Sequence, residues 1–149
     1  MVCFSLSWQN PLLWSHYAER HHGIALGFDI NAAKIKEVSY VEQRPVIDAV
    51  NIEVVHQLLY TKYIDWRYER EARVFTLLEE KDSDSGLYFA GFSDDFVLRE
   101  VIVGPLSNVS EKQLQEALGE RKGKVALTKA RLVFNSFNVV KNKLGFENV

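Results

Sequence analysis

The chain has 149 residues, of which 47% are hydrophobic and 12% aromatic, and its formal net charge is −2. This length and composition are typical of a folded globular protein and exclude a largely disordered one. The near-neutral charge lacks the basic excess of a protein that binds nucleic acid nonspecifically, so a nucleic-acid partner is unsupported.

The cysteine content and the hydropathy indicate the cellular compartment. Cys3 is the one cysteine, which excludes an internal disulfide and a cysteine-based zinc site. No stretch approaches the roughly 18 consecutive apolar residues of a membrane span, and the N-terminus lacks the pattern of a signal peptide. We therefore expect a cytoplasmic protein with no membrane partner.

The first elements in chain order are a strand and a helix. Residues 1–7 mix apolar and small polar side chains, which predicts a short strand. Asn10 and Pro11 fit the N-cap and the first position of a helix, and Gly23 is predicted to end that helix in the left-handed conformation. The apolar segment Ile24–Asp29 then predicts a buried strand.

Three further elements follow. Asp29 or Asn31 is placed to cap a short helix over residues 32–36. Residues 38–41 predict a strand. The spacing of the apolar side chains in residues 51–63 predicts an amphipathic helix.

The next segment is ambiguous. Residues 66–78 fit a strand or a helix, and the alternation in the second half favours a strand. Residues 79–86 have the composition of an exposed turn, and residues 87–92 are predicted to form a strand. A stronger strand is predicted over Val97–Val103, ending at Gly104.

The last part of the chain completes an α+β pattern. Ser110 and Gln113 form a capping box that opens a helix to about Arg121. Three short strands or extended segments are predicted at residues 124–127, 131–134 and 137–141. Because the elements do not alternate regularly as βαβ units, we predict an α+β fold: a small mixed or mostly antiparallel sheet with three to four helices, forming a single domain over residues 1–149.

The segment from Trp66 to Arg73 carries the main candidate site. If it is a strand, Glu69, Glu71 and Arg73 lie on one face, and two adjacent carboxylates are suited to acid–base chemistry or to binding a sugar hydroxyl. If it is a helix, Glu69 and Arg73 form an ordinary surface pair. A solvated ladder of salt bridges therefore stays open beside the functional interpretation.

The histidines supply a second candidate. The spacing of His16, His21 and His22 does not match a metal site, and we predict no bound metal. His16 is the histidine most suited to a function because it lies between Trp14 and Tyr17 on a well-capped helix. A histidine bonded to the backbone is the alternative. A nucleophilic pair of Cys3 with His16 would require proximity that the sequence does not show.

The pattern of these residues resembles a bacterial family of uncharacterised proteins, the domain of unknown function twenty-nine seventy-one. The resemblance rests on Cys3-Phe4-Ser5, on the block from Asn10 to Ala18 with Gly23 and Gly27-Phe28-Asp29, on a second block ending in Tyr68–Arg73, and on Val101–Gly104. It extends over most of the chain. Members of that family carry a further N-terminal segment, so the chain is expected to correspond to the C-terminal two-thirds of a member.

A more distant resemblance is to ADP-ribosyltransferase-like domains. It implies that Ser5 or Ser7 helps to form a nicotinamide pocket, that Glu71 holds the ribose hydroxyl and steadies the oxocarbenium charge, and that Glu69 orients the acceptor. NAD is the cofactor that this resemblance implies. The likeness is one of motif order.

Two functional hypotheses follow. In the first, the protein is an enzyme-like domain that binds a small molecule or a nucleotide such as NAD. Its predicted catalytic residues are Glu71, Glu69 and His16, and its predicted ligand-binding residues are Ser5, Trp14, Tyr17, Trp66 and Arg73. In the second, it is a noncatalytic binding or regulatory module, in stress response or phage defence, or an inactive fragment that needs a partner. A homodimer through the exposed N-terminal edge is expected under the last alternative.

Overall fold

The structure is a computed structural model that describes residues 1–77, 79, 81–89 and 91–146. Within these residues, three α-helices, two short 3₁₀ helices and nine strands form an α+β fold, which confirms the predicted class. The helices are α1 (Pro11–Tyr17), α2 (Ile52–Leu59) and α3 (Glu111–Leu118), and the 3₁₀ helices are Ile64–Glu69 and Gly119–Arg121. The strands are β1 (Val2–Ser5), β2 (Ile24–Ile30), β3 (Ile35–Glu37), β4 (Ser39–Val41), β5 (Thr61–Tyr63), β6 (Glu71–Val74), β7 (Phe96–Val103), β8 (Ala126–Leu132) and β9 (Val139–Lys141).

The described residues form two compact units. The first unit comprises Met1–Leu6 and Ile30–Asp95, and the second comprises Ser7–Asp29 and the described residues from Phe96 onward. The strands form three small sheets in place of the one sheet that the sequence predicts. That the chain is a single domain stays a prediction.

The first unit contains an antiparallel sheet in the order β1-β6-β3 and a parallel pair, β4 with β5. Helix α2 connects the parallel pair, and its first turn is capped by Asn51, whose side-chain oxygen accepts a hydrogen bond from the Val54 amide at 2.9 Å. Strand β1 lies at one end of its sheet in the described part of the chain. A homodimer through that edge stays a prediction.

The second unit contains a four-stranded sheet in the order β2-β7-β8-β9. Strands β7 and β8 are parallel and α3 connects them, so this part is a βαβ unit. Side chains of β7 alternate between two clusters: Ile102 packs with Trp14 and Val139, whereas Val101 and Val103 pack with the α3 side. The end of β7 is therefore buried on both faces, as parallel strands usually are.

The start of α1 is as predicted, but its end is not. Asn10 accepts a hydrogen bond from the Leu12 amide at 2.9 Å, and Pro11 occupies the first turn. The left-handed residues are Glu19, Arg20 and His21, not Gly23, and the helix has already ended at Tyr17.

Gly23 instead allows the backbone to pass close to the backbone of Ala18. Its amide donates to the Ala18 carbonyl at 2.8 Å, and a Cβ at this position would lie 3.0 Å from Ala18 backbone atoms. A side chain would therefore crowd the turn that follows α1.

Several other predictions need correction. Residues 32–34 form a turn that Asn31 caps, not a helix, because the chain enters β3 at once. β2 is half exposed, with Leu26 46% exposed. Residues 87–92 show only a bridge between Lys81 and Tyr88 in the described part of the segment. The two strands predicted over residues 124–134 are one strand, β8. Leu78, Glu80 and Ala90 lie outside the described residues.

Candidate functional site

The two candidate carboxylates lie at the start of β6. Glu71 is the first residue of that strand, and Glu69 is the last residue of the preceding 3₁₀ helix. Arg70 between them is left-handed, with φ 46°, which turns the chain from one element into the other. Glu69 therefore lies neither in a strand nor in a helix that continues to Arg73, the two alternatives that the sequence left open. Both carboxylates are nevertheless buried, at 4% and 5% exposure.

Two basic side chains neutralise these carboxylates. Lys62 of β5 donates from Nζ to Glu69 Oε2 and, at 3.0 Å, to Glu71 Oε2. Arg73 of β6 donates from Nε to Glu71 Oε1 at 2.7 Å and from a terminal nitrogen to Oε2 at 3.1 Å. We call Lys62, Glu69, Glu71 and Arg73 the charge network. Its two carboxylates and two cations balance, as buried charges require.

The network holds Glu71 in its ionised form. Burial would raise the pKa of Glu71, but hydrogen bonds from Arg73, Cys3 and Lys62 outweigh it and lower the pKa to about 2. Burial also opposes the charge of Lys62, yet its bonds to Glu69 and Glu71 raise the pKa of that ammonium. Glu71 is thus a fixed anion and is not tuned for proton transfer near neutral pH.

The lowered pKa of Glu71 makes stability depend on pH. Because the folded-state pKa is about 2 against an ordinary value of 4.5, this carboxylate contributes its stability above pH 4.5 and loses it as the pH falls towards 2. We expect the free energy of unfolding, measured with urea from pH 6 to pH 2.5, to fall more steeply in the wild type than in Glu71→Gln. Parallel slopes for the two proteins would contradict this prediction.

Other predicted residues of the first unit surround the network. Ser5 donates from Oγ to the Glu69 carbonyl at 2.6 Å, and the Trp66 ring lies 5.1 Å from Lys62 Nζ. Burial, followed by a hydrogen bond with Glu71, raises the pKa of Cys3, which disfavours the thiolate that a nucleophile requires. The structure thus brings together five predicted residues of the first unit with Lys62, which was not among the predicted site residues.

The remaining predicted residues, Trp14, His16 and Tyr17, belong to α1 in the second unit. Trp14 is a core side chain, 2% exposed, and its indole nitrogen donates to the Trp8 carbonyl at 2.6 Å. The rings of His16 and Tyr17 lie 6.2 Å apart, and Tyr17 is 65% exposed. Their roles in ligand binding or catalysis stay predictions. In the described part of the chain, no three potential metal ligands come together.

A cleft lies on the other face of the β4–β5 pair. Tyr40 and Lys62 are register partners, and both reach the network: the Tyr40 hydroxyl accepts from the Glu71 amide at 2.7 Å. Ser39 and Thr61, the neighbouring register pair, line the cleft instead, because successive side chains of a strand point to opposite faces. Tyr40 and Lys62 are therefore directed to the network and Ser39 and Thr61 to the cleft. Arg73 of the network also donates to the carbonyl of Leu59, the last residue of α2.

The cleft has a volume of about 500 Å³. This falls within the roughly 300–1,000 Å³ of small-molecule sites. Strands β3 to β5 supply one side and α2 the other, and the lining residues are Lys36, Ser39, Val41, Ile52, Glu53, His56, Gln57, Tyr60 and Thr61. The sequence did not indicate this site, although six of its lining residues fall within the predicted amphipathic helix of residues 51–63.

The cleft offers a cation, an aromatic ring and hydrogen-bonding groups. Lys36 Nζ lies 4.6 Å from the centre of the Tyr60 ring, and that ring packs edge-on against Phe75 at 5.4 Å. Two basic side chains, Lys36 and His56, face one carboxylate, Glu53, in the lining. The arrangement suits a ligand that has a flat polar ring and an anionic group.

None of the helices in the described part of the chain is long and apolar enough to cross a membrane.

Residues 13–74 match the model of a family described as a protein of unknown function, DUF2971. This match supports the predicted resemblance, but over a shorter segment than expected: Cys3-Phe4-Ser5 and Val101–Gly104 lie outside it. It falls in the N-terminal part of the chain, so it does not support correspondence to the C-terminal two-thirds of a member. No curated protein and no solved structure matches the chain significantly. What the comparisons establish is that the chain is similar, over residues 13–74, to a family of unknown function.

Proposed function

We propose that this protein is a noncatalytic binding module whose first unit takes a nucleotide-sized ligand with an anionic group. The charge network stabilises the fold in this proposal, and the cleft on the other face of β4 and β5 is the binding site. The observation that carries this proposal is that both carboxylate oxygens of Glu71 already accept hydrogen bonds. Arg73 donates to Oε1 and Oε2, and Lys62 also donates to Oε2.

The geometry of Glu71 supports a structural role over a catalytic one. A carboxylate that acts on a substrate must offer an oxygen to it, whereas Glu71 is 5% exposed and bonded at both oxygens. Displacing Arg73, whose side chain is 12% exposed, to admit a ribose hydroxyl would leave that cation without its carboxylate, at a cost of several kcal/mol. The cleft requires no such rearrangement, because its polar groups already face open space.

The binding site is tested by thermal unfolding of the protein with AMP, ADP-ribose or NAD. A ligand at about 100 times its dissociation constant adds about 2.7 kcal/mol, which raises the midpoint of a protein of this size by roughly 5–10 °C. We expect such a shift in the wild type and a loss of it in Lys36→Met, since Lys36 is an exposed side chain of the cleft whose removal should not unfold the protein.

Lys34→Met is the matched control, because Lys34 is a neighbouring exposed lysine that pairs with Asp95 and does not line the cleft. We expect Lys34→Met to keep the full shift. An equal shift in both lysine variants would reject the cleft as the binding site. The absence of a shift with all three nucleotides would reject the proposed ligand class.

An NAD-dependent enzyme resembling ADP-ribosyltransferases is the second candidate function. The observation that favours it is that Ser5, Glu69 and Glu71 lie together where β1 pairs with β6, with Glu71 as a fixed anion. Such an anion would stabilise a developing oxocarbenium charge. This candidate requires release of nicotinamide from NAD by the wild type and loss of that release, with stability retained, in Glu71→Gln.

A further inference from the structure

The second unit contains a buried lysine that has no acidic partner. Lys129 of β8 is 4% exposed, and among the described residues no carboxylate forms an ion pair with it. Its Nζ donates to the carbonyls of Gly104 at 3.0 Å and Ser107 at 2.6 Å. An ammonium has three N–H groups, so one has no protein acceptor in the described part of the chain.

The uncompensated charge of Lys129 is unfavourable. Two carbonyl dipoles replace only part of the hydration that an ammonium loses on burial. Burial accordingly lowers the pKa of Lys129. The charge network of the first unit is a contrast within the same chain, because its half-buried cations each face a carboxylate.

Lys129 lines a cavity of about 360 Å³ between the end of β7 and the start of α3. Besides the lysine, the lining has two hydroxyls, one amide and one exposed carboxylate, and its residues are Ser107, Asn108, Val109, Ser110, Glu111, Lys129 and Phe146. The Ser110 hydroxyl donates to Gln113 Oε1, and the Glu111 carboxylate accepts from Gln115 Nε2 at 2.9 Å. Ser107 is 2% exposed, and its hydroxyl oxygen already accepts from the Val109 amide at 3.3 Å. The Ser107 hydroxyl proton is thus available as a second donor.

The backbone around this cavity is held firmly. The Gly104 amide donates to the Gly23 carbonyl at 2.9 Å, and the Leu106 amide donates to the His21 carbonyl at 3.1 Å. Gly104 packs so closely that a Cβ would lie 2.2 Å from the His21 oxygen. The two carbonyls that orient Lys129 therefore belong to a fixed turn, which sets the position of its amine before any ligand arrives.

We propose that Lys129, with the Ser107 hydroxyl beside it, binds a small oxyanion, the phosphate or carboxylate group of a metabolite, in the cavity between β7 and α3. A bound anion supplies the counter-charge that the described residues do not provide. Lys129 and Ser107 are themselves buried, and water weakens a charge pair less at a buried group than at the surface. The site lies in the second unit and is independent of the cleft proposed above.

The proposal is tested by titrating the protein with sodium phosphate and with sodium acetate, against sodium chloride at equal ionic strength. We expect phosphate or acetate to raise the midpoint of thermal unfolding in the wild type. Lys129→Met, which keeps most of the aliphatic stem, should weaken this binding about tenfold or more. Lys124→Met is the matched control, because Lys124 is an exposed lysine of the same unit that does not line the cavity.

A second measurement uses the wild type alone, so it does not depend on how Lys129→Met folds. Acetylation with a limiting amount of acetic anhydride, followed by mass spectrometry, reports the reactivity of each lysine. The anion that raises the midpoint should protect Lys129 and leave Lys124 unchanged. Any one of three results would overturn the proposal. Neither anion raises the midpoint, or the anion has an equal effect in Lys129→Met, or Lys129 is not selectively protected.

Discussion

Glu71→Gln is expected to lower the free energy of unfolding by about 3 kcal/mol, since breaking a buried ion pair by removing one partner costs about 3–5 kcal/mol. The substitution leaves Arg73, whose side chain is 12% exposed, without a carboxylate, and it leaves Lys62 with Glu69 alone. The midpoint of thermal unfolding should fall by roughly 6–12 °C. Urea unfolding at pH 7, followed by far-UV circular dichroism, measures this loss.

Glu42→Gln is the control for charge removal, because Glu42 is an exposed residue just after β4. We expect that substitution to change the free energy of unfolding by about 0.5 kcal/mol or less. If Glu71→Gln proved as stable as Glu42→Gln, the charge network would not be a structural device, and a catalytic role for Glu71 would gain support.

Gly104→Ala is expected to be the most damaging small substitution in the second unit. A Cβ at this position would lie 2.2 Å from the His21 oxygen and 2.7 Å from the Gly23 oxygen, and neither backbone atom can rotate away. Forcing apart the loop and the end of β7 should cost about 3 kcal/mol or more. Differential scanning calorimetry should show a midpoint lower by roughly 6 °C or more, or no cooperative transition.

The matched control is Gly91→Ala, since a Cβ on Gly91 would meet no atom within 4 Å among the described residues. We expect its midpoint to stay within about 2 °C of the wild type. A Gly104→Ala protein with the wild-type midpoint would show that the turn around residues 19–23 moves aside easily. The rigid positioning proposed for Lys129 would then lose its basis.

The features predicted correctly from sequence are those set by local interactions. Asn10 with Pro11 and Ser110 with Gln113 satisfy helix amides within three residues, so their signals are complete in a short window. The strand predicted over Val97–Val103 is β7, and the structure extends it by one residue. The predicted end of α1 was wrong, because three non-glycine residues, Glu19 to His21, take the left-handed conformation that the sequence predicts for Gly23.

The features missed from sequence depend on how the chain turns and pairs in three dimensions. Glu69 and Glu71 were recognised as a pair, but their partner Lys62, seven residues before Glu69, reaches them because the 3₁₀ helix Ile64–Glu69 and the left-handed Arg70 turn the chain. The parallel pairing of β4 with β5 joins segments that no short window compares, and it places Ser39 and Thr61 in the cleft. The cavity at Lys129 is hidden in the same way, since its lining comes from elements brought together only by the fold.

The most direct test of the separation between network and cleft is one calorimetric titration of AMP into two variants at 15 °C, where both are expected to be folded. We expect Glu71→Gln to bind AMP with the wild-type dissociation constant, and Lys36→Met to bind it about tenfold more weakly or not at all. A folded Glu71→Gln that has lost binding, beside a Lys36→Met that retains it, would contradict a structural network with a separate cleft and would place the ligand at Glu71.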